Sequence, residues 1–145
     1  ASLPRPVRFV LLYLHHPPVA AEETGALANH NPRLNEMALA AYLKDVASTL
    51  RARLLVCAGH THNYERRERD GITYLVSGGG GAKPYPVSRG GDDLYTAGLE
   101  PNFHFLRMTV TDSRLTAEMV RLEDPDGAQP STFMTRDRFV LSASR

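Results

Sequence analysis

The sequence predicts a mixed α/β (α+β) domain in which a strand-helix-strand unit precedes a β-meander. Two short apolar runs, at residues 7–14 and 54–58, are separated by a segment with helical spacing, which is the pattern of parallel strands joined by a helix. Beyond residue 102, strand-like runs alternate with turn residues, which favours antiparallel strands. No repeat or linker divides the 145 residues, so we expect residues 1–145 to belong to one domain.

The first strand is predicted over residues 7–14, a nearly continuous apolar run that ends before His15-His16-Pro17-Pro18. Such a run is typical of a strand that is covered on both faces. Residues 18–31 have a mixed composition that includes Gly25, so we predict a loop with a short helical turn. His15 is therefore expected at the carboxyl end of a buried strand.

The clearest helix follows this loop. Asn31 is predicted as its N-cap and Pro32 as its first residue, and its end is predicted near Arg53. Apolar residues recur at spacings of four, three and four, at Leu39, Leu43, Val46 and Leu50. The second strand, at residues 54–58, follows directly, and the expected connection is a right-handed crossover between two parallel strands.

A third strand is predicted over residues 72–76, and it ends in the glycine run 78–81. We predict a turn or flexible loop there, because the lysine and the serine or threonine of a phosphate-binding P-loop do not follow the glycines. Residues 83–102 are rich in proline and glycine and are predicted as a long loop near the site. Three further strands make the predicted β-meander, at residues 103–111, 115–122 and 138–141.

His60 and His62 lie two residues apart directly after the second strand. If strand geometry continues that far, both side chains point to one face with α-carbons about 6 to 7 Å apart. This spacing suits two metal ions about 3.5 to 4 Å apart better than chelation of one ion. Gly59 is expected to allow a sharp bend before the pair. The alternative is a structural role, with both rings hydrogen-bonded to the backbone.

The two parallel strands are expected to deliver His15 and His60 to the same edge of the sheet. Open α/β sheets place their sites at the carboxyl ends of strands. Imidazole ligands favour transition metals, whereas magnesium and calcium prefer oxygen. The sequence therefore predicts a metal site at this edge.

The string Gly-His-Thr-His-Asn-Tyr-Glu-Arg at residues 59–66, followed by the strand and glycine run of residues 71–81, resembles the calcineurin-like metallophosphoesterases, and among them the purple-acid-phosphatase-like branch. That family's last metal-binding motif is Gly-His-x-His, which this branch continues with x-Tyr-Glu-Arg. The strand that ends in His15-His16-Pro17-Pro18 resembles an earlier landmark of the family, and residues 137–141 resemble its terminal strand. The matches occur in the family's order and cover most of the chain.

The family's first motifs, Asp-x-His, Gly-Asp and Gly-Asn-His, supply its bridging carboxylate and remaining ligands, and none of them occurs upstream of the histidine motifs. The resemblance therefore implies that this chain is the C-terminal half of a four-layer αββα metallophosphoesterase sandwich. The missing N-terminal half of the same domain would be its partner. The isolated chain is then expected to be inactive or nearly so.

The resemblance also implies the ligand set. His15 and His60 would hold one ion and His62 a second, so that the cofactors are two divalent or trivalent transition metal ions (Fe, Zn or Mn). His16 would be a catalytic or pocket residue beside the metals, and an exchange of the roles of His15 and His16 stays open.

Two further groups of residues are candidates for the site. His30 lies in the loop where the family carries a histidine that protonates the leaving group, and the alternative is an exposed residue before the helix. Asn63, Tyr64, Glu65 and Arg66 would bind substrate or support the histidine loop. Arg66 could hold a phosphate, or Glu65 and Arg66 could form ion pairs with Tyr64 packed beneath them.

Composition excludes several other functions. The net charge of +1, from 17 basic and 16 acidic residues, favours no nucleic-acid partner. No apolar run is long enough for a membrane span. The single cysteine, Cys57, excludes an internal disulfide and is expected to be a small buried residue.

The function predicted from these observations is hydrolysis of a phosphate ester at a binuclear metal centre, as in an acid phosphatase. The alternatives are a phosphodiesterase or nucleotide hydrolase of the same superfamily, and a non-catalytic module with a mononuclear metal site. A secreted or periplasmic location is implied by the family resemblance alone.

Overall fold

The computed structural model describes residues 6–96, 103–127 and 131–143, which form two β-sheets, an α-helix and a short 3-10 helix. The elements in chain order are β1 (Phe9–Leu14), the 3-10 helix (Gly25–His30), α1 (Leu34–Thr49), β2 (Arg53–Ala58), β3 (Tyr64–Arg69), β4 (Ile72–Ser77), β5 (His104–Val110), β6 (Arg114–Leu122) and β7 (Phe133–Ser142).

The first sheet has the strand order β1-β2-β4-β3. β1, β2 and β4 are parallel, and β3 pairs antiparallel with β4 at the edge. This arrangement confirms the predicted strand-helix-strand unit. Leu14 is aligned with Ala58 at the last position of the β1–β2 pairing, so the residues that follow both strands emerge at the same edge.

The second sheet is the antiparallel meander β5-β6-β7, as predicted. A tight turn joins β5 to β6, in which the Thr111 N–H donates to the Arg114 carbonyl at 2.8 Å. The last strand, Phe133–Ser142, is longer than the predicted 138–141. Its first half pairs with β6 beyond an irregularity between Met119 and Val120, and such a shift of register is not visible in the sequence.

Two hydrophobic clusters hold three layers together. The first joins the two sheets, with Leu55, Cys57 and Leu75 of one sheet packed with Leu115 and Met119 of the other. The second joins the opposite face of the first sheet to α1 through residues that include Leu43, Leu54, Val56, Ile72 and Tyr74. A helix, a mixed sheet and an antiparallel sheet are thus stacked, which confirms the predicted mixed α/β class. Cys57 is buried as expected, and burial raises the pKa of its thiol to about 11.

The prediction of the helix start was wrong. The N-cap is Arg33, and the helix runs from Leu34 to Thr49. The side chain of Asn31 instead accepts a hydrogen bond from the Glu23 N–H at 2.7 Å and donates to the Glu23 carbonyl at 2.9 Å. Glu36 takes over the capping role, because its carboxylate accepts the Arg33 N–H at 2.9 Å. Asn31 therefore closes the preceding loop.

The charged segment after the histidine pair is a strand, β3, which the sequence did not predict. Its alternating charges are not the pattern of a buried strand, yet Glu65 and Arg67 are only 1% and 3% exposed. They pair with each other inside the protein, and this pairing allows charged residues in a buried strand.

The predicted loops are also found. Residues 78–81 have no helical or strand structure, and neither do residues 83–96, apart from an isolated bridge between Arg67 and Asp93. Residues 97–102 of the second predicted loop lie outside the described residues. Among the described helices, neither has the length and apolar character needed to cross a bilayer.

Candidate metal centre

The loop that carries the histidine pair leaves the sheet at once. β2 ends at Ala58, and His60 has a left-handed backbone with φ +63°. Two very tight turns follow, with the Thr61 N–H donating to the Gly59 carbonyl and the Asn63 N–H to the Thr61 carbonyl, both at 2.7 Å. Continued strand geometry at His60 and His62 was therefore a wrong expectation, and the bend that was expected at Gly59 occurs at His60.

His15, His16 and His60 form a compact cluster, which we call the three-histidine cluster. The ring centroids are 4.1 Å apart for His16 and His60, 4.9 Å for His15 and His16, and 5.2 Å for His15 and His60. One nitrogen from each ring can be chosen so that all three lie within 4.8 Å of one another. The cause is the parallel pairing of β1 and β2, which extends one residue further as the Gly59 N–H donates to the His15 carbonyl at 3.1 Å.

His30 lies against the same cluster. The 3-10 helix ends at His30, and its ring centroid is 4.9 Å from that of His60. The His30 Nδ1 is 3.2 Å from the Leu27 carbonyl, which fits a tautomer with the proton on Nδ1 and leaves Nε2 available. The fold thus brings His30 close to His60 although the two are distant in the sequence.

His62 makes its contacts outside the three-histidine cluster, with Lys83 and Tyr85. Its Nδ1 is 3.1 Å from the Lys83 carbonyl, again leaving Nε2 available. His62, His15 and His60 line one open cavity of about 350 Å³, together with glycines 59, 78, 80 and 81, Ser77 and Ala82. The structure therefore brings the three predicted metal ligands to one cavity. It also places the ring of His16 beside two of them, His15 and His60.

These donors fit the transition metals that the sequence predicted. Neutral imidazole is a ligand for zinc and iron, and metal-bound histidines commonly donate their second N–H to a backbone carbonyl. His62 has such a contact through Lys83. Burial lowers the pKa of His60, and the neighbouring rings of His16, His30 and His15 lower it further. A neutral ring binds a metal ion without first losing a proton.

The residues after the pair make contacts within the protein that hold the histidine loop. Asn63 is fully buried, and its Nδ2 donates to the Tyr85 carbonyl at 2.6 Å. The Tyr64 hydroxyl and the Arg66 Nε both donate to Asp137, at 2.9 and 2.7 Å, and burial, followed by the Asp137 charge, raises the pKa of Tyr64. These contacts tie β3 to β7 of the other sheet.

Glu65 holds the segment that follows β1. Its Oε2 accepts the Ala21 N–H at 2.7 Å, which fixes the segment between β1 and the 3-10 helix. The Arg67 guanidinium donates to the same oxygen through Nε at 3.1 Å and Nη2 at 2.9 Å. Burial raises the pKa of Glu65, and Arg67 opposes that effect.

Tyr85 was not predicted from the sequence as a site residue, but its ring contacts both His30 and His62. Its ring centroid is 5.1 Å from His30 and 5.4 Å from His62, and its N–H donates to the His62 carbonyl at 3.2 Å. The sequence feature that could have identified Tyr85 is its position between Pro84 and Pro86. Prolines on both sides restrict the backbone around a single aromatic residue.

We expect Tyr85→Leu to lower the metal affinity of a domain that contains this site about 10- to 100-fold, the usual cost of losing a supporting group around a metal ligand. Tyr85→Phe is the matched control, since it keeps the aromatic ring and removes only the hydroxyl. The measurement is a calorimetric metal titration of each variant. Equal loss in both variants would show that the ring itself does not position the histidines.

A scan against protein-family models and a search of the curated proteins give no match. Among solved structures, the chain superposes on GAP50, the anchor in the inner membrane complex of Plasmodium, with a TM-score of 0.56 and 15% identity. The chain shares the fold of this part of GAP50. The superposition covers 90% of this chain and 37% of GAP50.

Vps29 proteins give looser superpositions. That of Chaetomium thermophilum has a TM-score of 0.46 at 13% identity and covers 92% of this chain and 53% of Vps29. That of Entamoeba histolytica, solved in complex with zinc, has a TM-score of 0.40 at 22% identity and covers 70% of this chain and 47% of Vps29. The chain thus spans about a third to a half of the length of these three proteins.

Proposed function

We propose that this chain supplies the histidine ligands of a metal-dependent phosphoesterase of the calcineurin-like superfamily, in the purple-acid-phosphatase-like branch. The observation that carries the proposal is the single cavity lined by His15, His60 and His62. Two of these residues follow parallel strands, and the third is separated from His60 by one residue.

In this proposal His15 and His60 hold one ion and His62 holds the other. The Lys83 carbonyl keeps the Nε2 of His62 free for its ion by accepting from Nδ1. Two such ions lower the pKa of a bound water and neutralise charge on the phosphoryl oxygens. In its doubly protonated form, His30 would keep its Nδ1–H on the Leu27 carbonyl and would donate its Nε2 proton to the leaving alkoxide.

The proposal includes a composite site. The family ligands that bridge two ions do not precede the histidine motifs in this sequence, so they would come from a complementary N-terminal half of the domain. β1 is an edge strand, with β2 as its only strand neighbour among the described elements, and it carries Tyr13, which is 65% exposed. An edge of this kind can accept additional strands.

The test compares the 145-residue chain with a longer protein that also contains the residues encoded upstream of it. We expect only the longer protein to hydrolyse p-nitrophenyl phosphate when it is supplied with zinc, manganese or iron. His60→Gln in the longer protein should lower kcat/KM by more than the about 100-fold cost of losing an outer-shell group. Bis(p-nitrophenyl) phosphate, assayed in parallel, distinguishes a diesterase from a monoesterase.

Two results would contradict the proposal in different ways. Hydrolysis by the 145-residue chain alone at an enzymatic rate, with loss of that activity in His60→Gln, would show that no complementary half is needed. A longer protein that binds metal but hydrolyses neither ester would favour a non-catalytic metal-binding module.

A further inference from the structure

The three-histidine cluster differs from the ligand set that the family resemblance implies. His16 would be a pocket residue in that set, yet its ring centroid is 4.1 Å from that of His60, closer than the 5.2 Å between His15 and His60. Nitrogens of His15, His16 and His60 lie within 4.8 Å of one another. His62 is not a member of this group.

We infer that His15, His16 and His60 form a three-histidine site that binds one zinc-class ion in this chain. The inference concerns the site of the proposed function, but it requires no phosphoesterase activity. Zinc with three histidine ligands takes a tetrahedral arrangement with an open fourth position, which water or a substrate oxygen fills.

The geometry requires only side-chain adjustment. Nitrogens bound to tetrahedral zinc at about 2.0 Å lie roughly 3.3 Å apart, whereas the rings already bring their nitrogens within 4.8 Å. His15 is exposed, and His16 and His60 are half-buried, so their rings have room to turn toward a common ion. Three neutral imidazoles are donors that zinc prefers to the oxygen ligands of magnesium and calcium.

The backbone around His16 is well fixed. On one side the His15 carbonyl accepts the Gly59 N–H at 3.1 Å, and on the other Pro17 is fully buried. A proline has a restricted φ and also restricts the residue before it. His16 is therefore held beside His60 in advance, which reduces the entropy lost when an ion is bound.

His62 provides a matched comparison. It is also a histidine of the loop and of the cavity, but its ring contacts Tyr85 and the Lys83 carbonyl rather than the cluster. If His16 is the third ligand, His16→Gln should weaken zinc binding by the 145-residue chain roughly 100-fold. His62→Gln should change it by less than about threefold, because the proposed function gives His62 to a second ion whose remaining ligands come from the complementary half of the domain. Isothermal titration calorimetry measures both dissociation constants and the stoichiometry, which is expected to be one.

A second measurement gives a signal that appears only when residue 16 binds the ion. Thiolate ligands give cobalt(II) a charge-transfer absorption in the near ultraviolet, so His16→Cys loaded with Co²⁺ should show this band. His62→Cys and the wild-type chain should lack it, because Cys57 is buried and its thiol pKa is raised to about 11. Circular dichroism of the metal-free variants checks that they fold.

A band in His62→Cys and none in His16→Cys would overturn the inference, as would a wild-type chain that binds no zinc. A band in His16→Cys would support it even if the longer protein hydrolyses no phosphate ester, in which case the proposed function alone would fail. Phosphoesterase activity combined with metal binding that is insensitive to residue 16 would contradict the inference while supporting the proposed function.

Discussion

Replacement of Gly78 by alanine is expected to displace the histidine loop and to impair the metal centre. A β-carbon at Gly78 would collide with the Thr61 carbonyl oxygen and would lie 3.2 Å from the His62 α-carbon. The same oxygen accepts the Asn63 N–H at 2.7 Å. Because the colliding atoms belong to the backbone, no side-chain rotation relieves the contact, and the loop has to move.

We expect Gly78→Ala to lower the free energy of unfolding by about 2–3 kcal/mol, as forced insertion of an extra carbon into a packed site does. A displacement of about 1 Å at a catalytic site can cost about 100-fold in rate. We therefore expect zinc binding by this chain, and phosphate-ester hydrolysis by the longer protein of the proposed function, to fall by a similar factor. Urea unfolding and calorimetric zinc titration measure the two effects.

Gly80→Ala is the matched control. Gly80 lies in the same glycine run and lines the same cavity, but a β-carbon there meets no atom within 4 Å. We expect the variant to keep wild-type zinc affinity and stability within about 0.5 kcal/mol, as for other surface substitutions. If both alanine variants behave alike, close approach of the Gly78 backbone to the histidine loop does not determine the geometry of the site.

The convergence of His15 and His60 was predictable because it depends on strand direction. Apolar runs with a helix between them predict parallel strands, and parallel strands place the residues that follow them at one edge. The structure has this pairing, with Leu14 aligned with Ala58. Strand direction alone therefore places His15 and His60 at one edge of the sheet, whatever the exact distances and the ligand set.

The position of His16 beside His60 could not be predicted in the same way. It depends on the left-handed backbone of His60, at φ +63°, and on the buried Pro17 that follows His16. A histidine adopts a positive φ only when tertiary contacts compensate its cost. No local pattern in Gly59-His60-Thr61 specifies those contacts, so periodicity alone favoured a continued strand.

β3 was missed for a related reason. Hydrophobic periodicity detects a strand through its apolar residues, and in residues 64–69 only Tyr64 is apolar. The side chains of Glu65 and Arg67, which are 1% and 4% exposed, lie in the interior as an ion pair, and Asp92 also accepts from the Arg67 guanidinium. The tertiary fold, and not the local sequence, determines which residue pairs with a buried charge. That pairing determines whether residues 64–69 form an exposed connection or a buried strand.

Removal of one partner of this pair should be strongly destabilising. Arg67→Met leaves the Glu65 carboxylate buried without its cation, and breaking a buried ion pair in this way costs about 3–5 kcal/mol. The Glu65 Oε2 also accepts the Ala21 N–H at 2.7 Å, so the segment that carries His15 and His16 is expected to loosen. The free energy of unfolding in urea measures the first effect, and zinc affinity measures the second.

Two further variants test whether the unpaired, buried charge of Glu65 is the cause of the lower stability of Arg67→Met. Arg69→Met removes an arginine of the same strand that is 56% exposed and paired at 3.3 Å with Asp92, and a surface pair of this kind contributes at most about 1 kcal/mol. Glu65→Gln combined with Arg67→Met keeps an acceptor for the Ala21 N–H and removes the unpaired charge, so it should recover at least half of the loss. If Arg67→Met lowers the free energy of unfolding no more than Arg69→Met does, the Glu65–Arg67 ion pair is not what holds β3 and the histidine-bearing segment together. If the double variant is as unstable as Arg67→Met, lost packing of the arginine stem, and not an uncompensated carboxylate, accounts for the loss.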